Sequence, residues 1–263
     1  MMVKQEIISS RQNVRVKNWR KLQTAKGRKQ QAQYLIEGTH LVQEALLYKQ
    51  SVLELMMTAD YQASTEWALI EAVLPSDLPI TLLAPEVAQA ISATETNQGI
   101  LAVVSLPAKQ TVWKPSGKKY LLLDKVQDPG NLGTMIRTAD AAGFDGVVMG
   151  NGTVDLYNDK VLRSTQGSLW HLEIVSIDLE TAYQALQKAG ILIYATALHQ
   201  KAIAYQEVPN TDKIAIVMGN EGQGVSSQWI EQADHAIYIP MFGQAESLNV
   251  AIAAGILMFQ FAK

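Results

Sequence analysis

From residue 120 onward, short apolar runs alternate with stretches of helical pattern, and this alternation restricts the possible fold more than any other feature. The strand candidates are Tyr120–Leu123, Val147–Met149, Leu172–Val175, Ile191–Tyr194, Ile214–Met218 and Ala236–Ile239. Helices read at about 131–142, 158–166, 180–189, 226–233 and 247–261. Strands that are apolar on both faces need cover on both faces, which helices in parallel crossovers provide. The expected class is α/β, a mostly parallel sheet flanked by helices.

Residues 1–105 carry a second, smaller α/β pattern. A helix over 11–24 shows a narrow apolar stripe of Val16, Trp19 and Leu22. Strands read at Tyr34–Ile36, Ser51–Met57, Ile80–Leu83 and Gly99–Ser105, with helices from Thr39 to Tyr48, around Trp67–Val73 and from Pro85. Two prolines, a glycine and four lysines without periodicity fill 107–119, so a linker is placed at 106–118. The expected division is a domain over 1–105, that linker, and a domain over 119–263.

The net charge of −3 conceals an asymmetry. Residues 1–30 hold nine Lys or Arg against the single acid Glu6, a balance of +8, which leaves −11 for the remainder. A basic segment on an acidic body points to a polyanion contact confined to one region. Cysteine is absent, which excludes disulfides, thiolate metal sites and a cysteine nucleophile. No run reaches the roughly eighteen apolar residues of a bilayer span, and the N-terminus is polar and basic. A cytoplasmic location, no membrane association and no metal are expected.

Three segments could carry chemistry. Asp128-Pro-Gly-Asn131-Leu-Gly133-Thr-Met-Ile-Arg137 follows the strand ending at Asp124, a strand–turn–helix arrangement whose free N–H groups suit an anion. Arg137, read near the second turn of that helix, is expected to reach back over the loop. Next, Gly219-Asn220-Glu221-Gly222-Gln-Gly224 places three glycines in six residues directly after a strand, which permits close backbone approach. Finally, Ile239-Pro-Met241-Phe-Gly-Gln-Ala-Glu-Ser247-Leu248-Asn249 runs into a helix that is apolar all round and so expects burial on most sides. Capping alone would explain Ser247, whereas Asn249 lies in an apolar stretch and needs a partner.

In this order and spacing, the three segments resemble the SpoU type of the SPOUT superfamily. The matching residues are Asn131-x-Gly133-x-x-x-Arg137, Gly219-Asn-Glu221-Gly222-x-Gly224, and Ile239-Pro-Met241 with Ser247-Leu-Asn249-Val. Ser164-Thr-Gln-Gly167-Ser-Leu is similar to the family's intermediate segment. The likeness spans 120–263. Tyr34-Leu-Ile-Glu-Gly38 and Thr96-Asn-Gln-Gly99-Ile-Leu-Ala-Val103 extend a looser one to a ribosomal-protein-like RNA-binding domain. Asn97 and Trp170 stand where proline and phenylalanine are frequent in the family.

The resemblance implies a C-terminal trefoil knot and a homodimer, with S-adenosylmethionine as cofactor and an RNA ribose 2′-hydroxyl as methyl acceptor. Ribosomal RNA is favoured over transfer RNA. It implies a cofactor site formed by Thr196, Gly219, Asn220, Glu221, Gly222, Ile239, Met241, Ser247 and Leu248, and a catalytic set of Arg137, Asn131, Ser247 and Asn249. Arginine stays protonated, so Arg137 is read as a phosphate clamp rather than a base. Arg11, Arg15, Lys17, Arg20, Lys21 and Arg28, with Arg163, are the expected RNA contacts. One rival, a nicotinamide-dependent dehydrogenase, requires the order G-x-G-x-x-G and an acid closing the second strand. Here the glycines run G-x-x-G-x-G and the strand ends Met149-Gly150-Asn151. The other rival is an RNA-binding protein without catalysis.

Overall fold

The computed structural model describes residues 7–108, 112–198, 201–209 and 211–262. It forms two compact units, one over Met1–Ala108 and Tyr157–Trp170, the other over Lys109–Leu156 and His171–Lys263.

In the first unit, β1 (Ile7–Ile8) precedes α1 (Val14–Lys21) and α2 (Ala25–Gln31). The helix expected over 11–24 is present as α1, shorter at both ends, and α2 beyond it was not expected. Thr24 accepts a hydrogen bond from Gly27 N at 3.1 Å and so caps a new helix. Gly27 lies so close to α1 that a β-carbon there would stand 1.9 Å from the Lys21 carbonyl oxygen. The chain continues through β2 (Gln33–Glu37), α3 (Thr39–Leu47), β3 (Val52–Thr58), α4 (Ala59–Gln62), α5 (Trp67–Glu71), β4 (Ile80–Leu83), α6 (Pro85–Ile91) and β5 (Ile100–Ser105). The sheet order is β1-β4-β3-β5-β2, with β5 antiparallel to both of its neighbours. Val16, Trp19 and Leu22, the expected stripe, pack with Met56, Leu83, Val87, Ile91 and Leu101. Tyr157 also joins this unit, its ring centroid 4.5 Å from that of Tyr34.

The second unit opens with β6 (Lys119–Leu123), α7 (Pro129–Ala141) and β7 (Gly146–Met149). The chain then passes through α8 (Asp159–Thr165) in the first unit and returns at His171. β8 (Glu173–Ser176), α9 (Leu179–Lys188), β9 (Leu192–Thr196), β10 (Ile203–Ala204), β11 (Ile214–Met218), α10 (Ser227–Gln232), β12 (His235–Tyr238) and α11 (Val250–Gln260) follow. All seven strands are parallel, in the order β10-β12-β9-β11-β6-β7-β8. Every residue of β11, and Tyr120–Leu123 of β6, is buried, which is why these strands read as unbroken apolar runs.

The order locates the site. From β6 the chain moves outward to β7 and β8, then crosses to build β9 and β11 on the other side. The reversal falls between β6 and β11, and ligands of open α/β sheets bind at the carboxyl ends of strands at such a point. Burial of α11 is less complete than its composition predicts, because Ile252 and Phe259 remain more than half exposed.

Candidate active site

The loops leaving β6 and β11 are joined by side-chain hydrogen bonds. Asp128 caps α7 by accepting from Asn131 N at 2.8 Å, and Pro129 takes the first helical position, where its missing N–H costs nothing. Glu221 reaches across from the other loop and accepts from Asp128 N at 2.9 Å, Gln127 N at 3.2 Å and Asn131 Nδ2 at 3.1 Å. The expected anion site at this turn is therefore taken by the protein's own carboxylates, a correction with a simple cause: an acid from the loop after β11, the neighbouring strand in the sheet, folds onto the free donors. Partial burial by itself would raise the Glu221 carboxyl. The hydrogen bonds from Asp128, Asn131, its own backbone and Gln127 outweigh that and hold it below the usual range.

The glycine turn is tight. Asn220 and Gly224 exchange backbone hydrogen bonds at 3.0 and 2.9 Å, and Asn220 Oδ1 accepts from Gly222 N and Gln223 N. A β-carbon on Gly219 would stand 2.0 Å from the Gly224 carbonyl carbon, while Gly224 adopts φ +69°. Asn220 Nδ2 donates to the Lys125 carbonyl at 3.0 Å, a second tie between the loops. A third tie escapes the sequence reading. Asp124, only 2% exposed, accepts from both Ser226 N at 2.8 Å and Ser226 Oγ at 2.6 Å. Ser226 thus stands at the cap position of α10 without capping it. An acid closing an apolar strand was the available signal.

Asn249 finds the partner its position demanded. Its Oδ1 accepts from Ala251 N at 2.9 Å and Ile252 N at 3.2 Å, so Asn249 rather than Ser247 caps the last helix, which starts at Val250. Its Nδ2 donates to Asn131 Oδ1 at 3.0 Å. Glu221, Asn131 and Asn249 therefore form one chain of hydrogen bonds linking all three motifs.

The segment between β12 and α11 differs in kind. No backbone group of residues 240–248 is hydrogen-bonded among the described residues. Met241 and Leu248 offer apolar side chains 38% and 37% exposed. Backbone donors and acceptors left to solvent beside apolar surface match what an adenosine requires, so this segment fits the expected cofactor. Thr196 lies opposite Ile237 of β12, and its Oγ1 donates to the Val217 carbonyl at 2.9 Å. Ser247 makes no hydrogen bond among the described residues and is not joined to the Asn131 chain.

Arg137 is the ninth residue of α7, because that helix begins at Pro129 rather than Asn131. At 1.5 Å per residue it stands about 12 Å along the axis from the loop, beyond the second turn where it was expected. Its side chain is exposed and makes no hydrogen bond or ion pair among the described residues.

The expected RNA contacts are unequal. Arg28 is 5% exposed and its Nη1 donates to the Leu22 carbonyl at 2.9 Å, so it braces the α1–α2 corner instead of presenting charge. Arg15 binds Glu54 and donates to Thr81 Oγ1 at 2.8 Å, and Arg163 pairs with Asp159 at 2.9 Å. Arg11 donates to the Glu86 carbonyl and Lys21 to Asn18, but both stay exposed, as do Lys17 and Arg20.

Comparison with known proteins agrees with this geometry. Residues 118–259 match the SpoU rRNA Methylase family, and residues 13–102 match an MRM3-like substrate binding domain. A Bacillus subtilis protein, 23S rRNA (guanosine(2553)-2′-O)-methyltransferase RlmP, is 43% identical over 252 residues, covering 96% of this chain and 97% of its own. The AdoMet-bound rRNA methyltransferase of Sinorhizobium meliloti superposes with a TM-score of 0.84 at 29% identity, covering 97% of this chain and 96% of that one. The SpoU methyltransferase AviRb of Streptomyces viridochromogenes, in complex with AdoMet, gives 0.85 at 26% identity, with 95% and 97% covered. With three motifs tied into one network at the sheet's switch point and a family match over more than half its length, the chain belongs to the SpoU rRNA methylase family.

Proposed function

We propose that the protein methylates the ribose 2′-hydroxyl of a nucleotide in ribosomal RNA, with S-adenosylmethionine as methyl donor. One observation carries the reading: the Glu221–Asn131–Asn249 chain of hydrogen bonds beside a segment whose backbone is left open, in a chain of this family.

Bound S-adenosylmethionine supplies a methyl group already activated on a sulfonium. What remains for the protein is orientation and management of one proton. The open backbone of 240–248, with Met241 and Leu248, holds the adenosine, and the Gly219–Gly224 turn walls the same crevice. Glu221 is unsuited to take the hydroxyl proton, since both its oxygens are occupied by donors and its carboxyl is held low. Arg137 clamps the phosphate next to the target nucleotide, which orients the ribose, and the hydroxyl proton passes to solvent as the oxygen–methyl bond forms and the sulfonium–methyl bond breaks. The pairing of Asn131 and Asn249 keeps both side chains in one rotamer at the acceptor's side of the site.

Residues 1–105 hold the RNA through the exposed cations Arg11, Lys17, Arg20 and Lys21, contacts that position the RNA without reading its sequence. Two chains pair, and the exposed apolar residues Ile252 and Phe259 of α11 support that reading. The C-terminus is threaded as a trefoil knot. Support comes from topology: β12 lies beyond β9, yet α11 packs on α7 and β11, so the chain recrosses the sheet's edge loops. The cytoplasm, where bacterial ribosomes are built, is the expected location, and no described helix is long and apolar enough to cross a membrane.

Transfer of labelled methyl from S-adenosylmethionine to unmodified ribosomal RNA tests the function, with bulk transfer RNA in a parallel arm. Label in ribosomal RNA at a 2′-O-methyl nucleotide is expected. Label only in transfer RNA would replace the substrate, and no label in either would overturn the activity. In the same assay Arg137→Ala is expected to lose about 100-fold in turnover with RNA still bound, a magnitude typical of a lost charge clamp. Normal turnover would remove Arg137 from the chemistry.

A further inference from the structure

Within the segment between β12 and α11, three large apolar side chains differ sharply in exposure. Met241 and Leu248 are 38% and 37% exposed, whereas Phe242 is 94% exposed. Its ring has almost no packing partner in this chain. The neighbouring strand behaves alike, because the loop leaving β9 carries Leu198 at 84% exposure. The loops leaving two adjacent strands thus carry bare apolar side chains, where water would otherwise favour polar residues.

The charge of the segment narrows what meets Phe242. Residues 239–249 contain no lysine or arginine and one acid, Glu246. The segment itself supplies no cation for a phosphate, a task the proposed function gives to Arg137, so what Phe242 can offer RNA is a face for a base. Every base offers a π-face, and unstacked RNA bases are commonly held on aromatic rings. Phe242 is also one residue from Met241, about 3.8 Å along the backbone. In the proposed function this makes it the sequence neighbour of a residue that holds the methyl donor.

We propose that Phe242 is a substrate-positioning residue, the platform on which a base of the RNA at or beside the methylated nucleotide stacks. The inference rests on the RNA methylation reading above. Stacking of one base on an aromatic ring is worth roughly 1–3 kcal/mol, which is about 5- to 150-fold in affinity.

The test compares Phe242→Ala, Phe242→Leu and Phe242→Tyr in methyl transfer to an unmodified 23S ribosomal RNA transcript. S-adenosylmethionine affinity is measured by calorimetry, and molecular mass by light scattering. Phe242→Ala and Phe242→Leu are expected to lower kcat/KM for RNA at least about fivefold, whereas Phe242→Tyr keeps it near the parent value. Cofactor affinity and mass are expected to stay unchanged in all three. Equal activity of the leucine variant and the parent would overturn stacking, since leucine fills space without a π-face. Weaker cofactor binding would make the ring a cofactor cover, and a fall in mass would give it to a second copy; either result overturns the proposal. Failure of the parent itself to methylate RNA would refute the underlying reading and is distinguishable from all of these.

Discussion

Two loop systems meet at the carboxyl edge of one parallel sheet, and they are built in opposite ways. Residues 124–131 and 219–226 are tied together through Asp124–Ser226, Asn220–Lys125, and Glu221 with Gln127, Asp128 and Asn131. Residues 240–248 carry no backbone hydrogen bond among the described residues and are exposed from Met241 onward. The tied pair cannot gain much by binding anything, because its polar groups already have partners; its use is a fixed geometry, ordered once at folding. The open segment has the reverse property. It leaves donors, acceptors and apolar surface to solvent, and in the proposed function these are what the cofactor meets. A methyl transfer needs both, a rigid frame for the acceptor and an adaptable grip on the donor.

Gly219 offers the most severe way to break the frame. In Gly219→Ala the new β-carbon meets backbone atoms of Gly224 and Val225 at 2.0–2.2 Å, and backbone cannot swing aside as a side chain does. The turn has to open, with a loss of about 3 kcal/mol or more in stability and loss of cofactor binding. Gly222→Ala is the control within the same turn, since its nearest contact would be Asn220 Oδ1 at 3.7 Å. That variant is expected to stay within about 0.5 kcal/mol of the parent. Thermal unfolding and calorimetric titration read both, and equal effects would mean that the turn is not the rigid element described.

Asn249 sits at the seam between the two systems, so its variants separate them. Asn249→Ala removes the cap of α11 and the bond to Asn131, and should cost about 1 kcal/mol together with activity. Asn249→Asp retains an acceptor for Ala251 N and Ile252 N but has nothing to donate to Asn131 Oδ1. Unfolding near the parent temperature with turnover down about tenfold, the upper end of what one neutral hydrogen bond contributes, is the expected pattern. Normal turnover of the aspartate variant would reduce the Asn131 bond to a structural tie.

How far these systems were legible in the chain follows from their physics. Buried parallel strands announce themselves by composition, and β6, β7 and β11 fall where the apolar runs stand. The glycine turn was legible for the same local reason, a strand followed by residues that tolerate close approach. Two-residue strands such as β1 and β10 carry no periodicity to read. The helix α2 was not read, because Ala25–Gln31 carries no apolar stripe, although Thr24 before it is a cap signal. Non-local pairings were hidden altogether. Nothing near Asp128 announces that Glu221, 93 residues away, will occupy its N–H, and nothing near Asp124 announces Ser226. The motif resemblance located these residues, but only the coordinates show that the expected anion site is filled from within.

The smallest expected effect tests that last point. A carboxyl held below its ordinary range contributes stability above that range, and the contribution disappears as pH falls through the lowered folded value. Glu221 is exposed, so the effect is modest, yet its direction is fixed. In Glu221→Gln one carboxylate oxygen becomes an NH2 group that faces Gln127 N or Asp128 N as a second donor. The parent should therefore unfold at higher temperature than Glu221→Gln at neutral pH, and the gap should narrow on acidification below the usual carboxylate range. A gap that is constant with pH would mean that the charge on Glu221 does not hold the frame. In that case the α7 N-terminus would again be open to an outside anion, and the contrast between a closed frame and an open grip would fail at its centre.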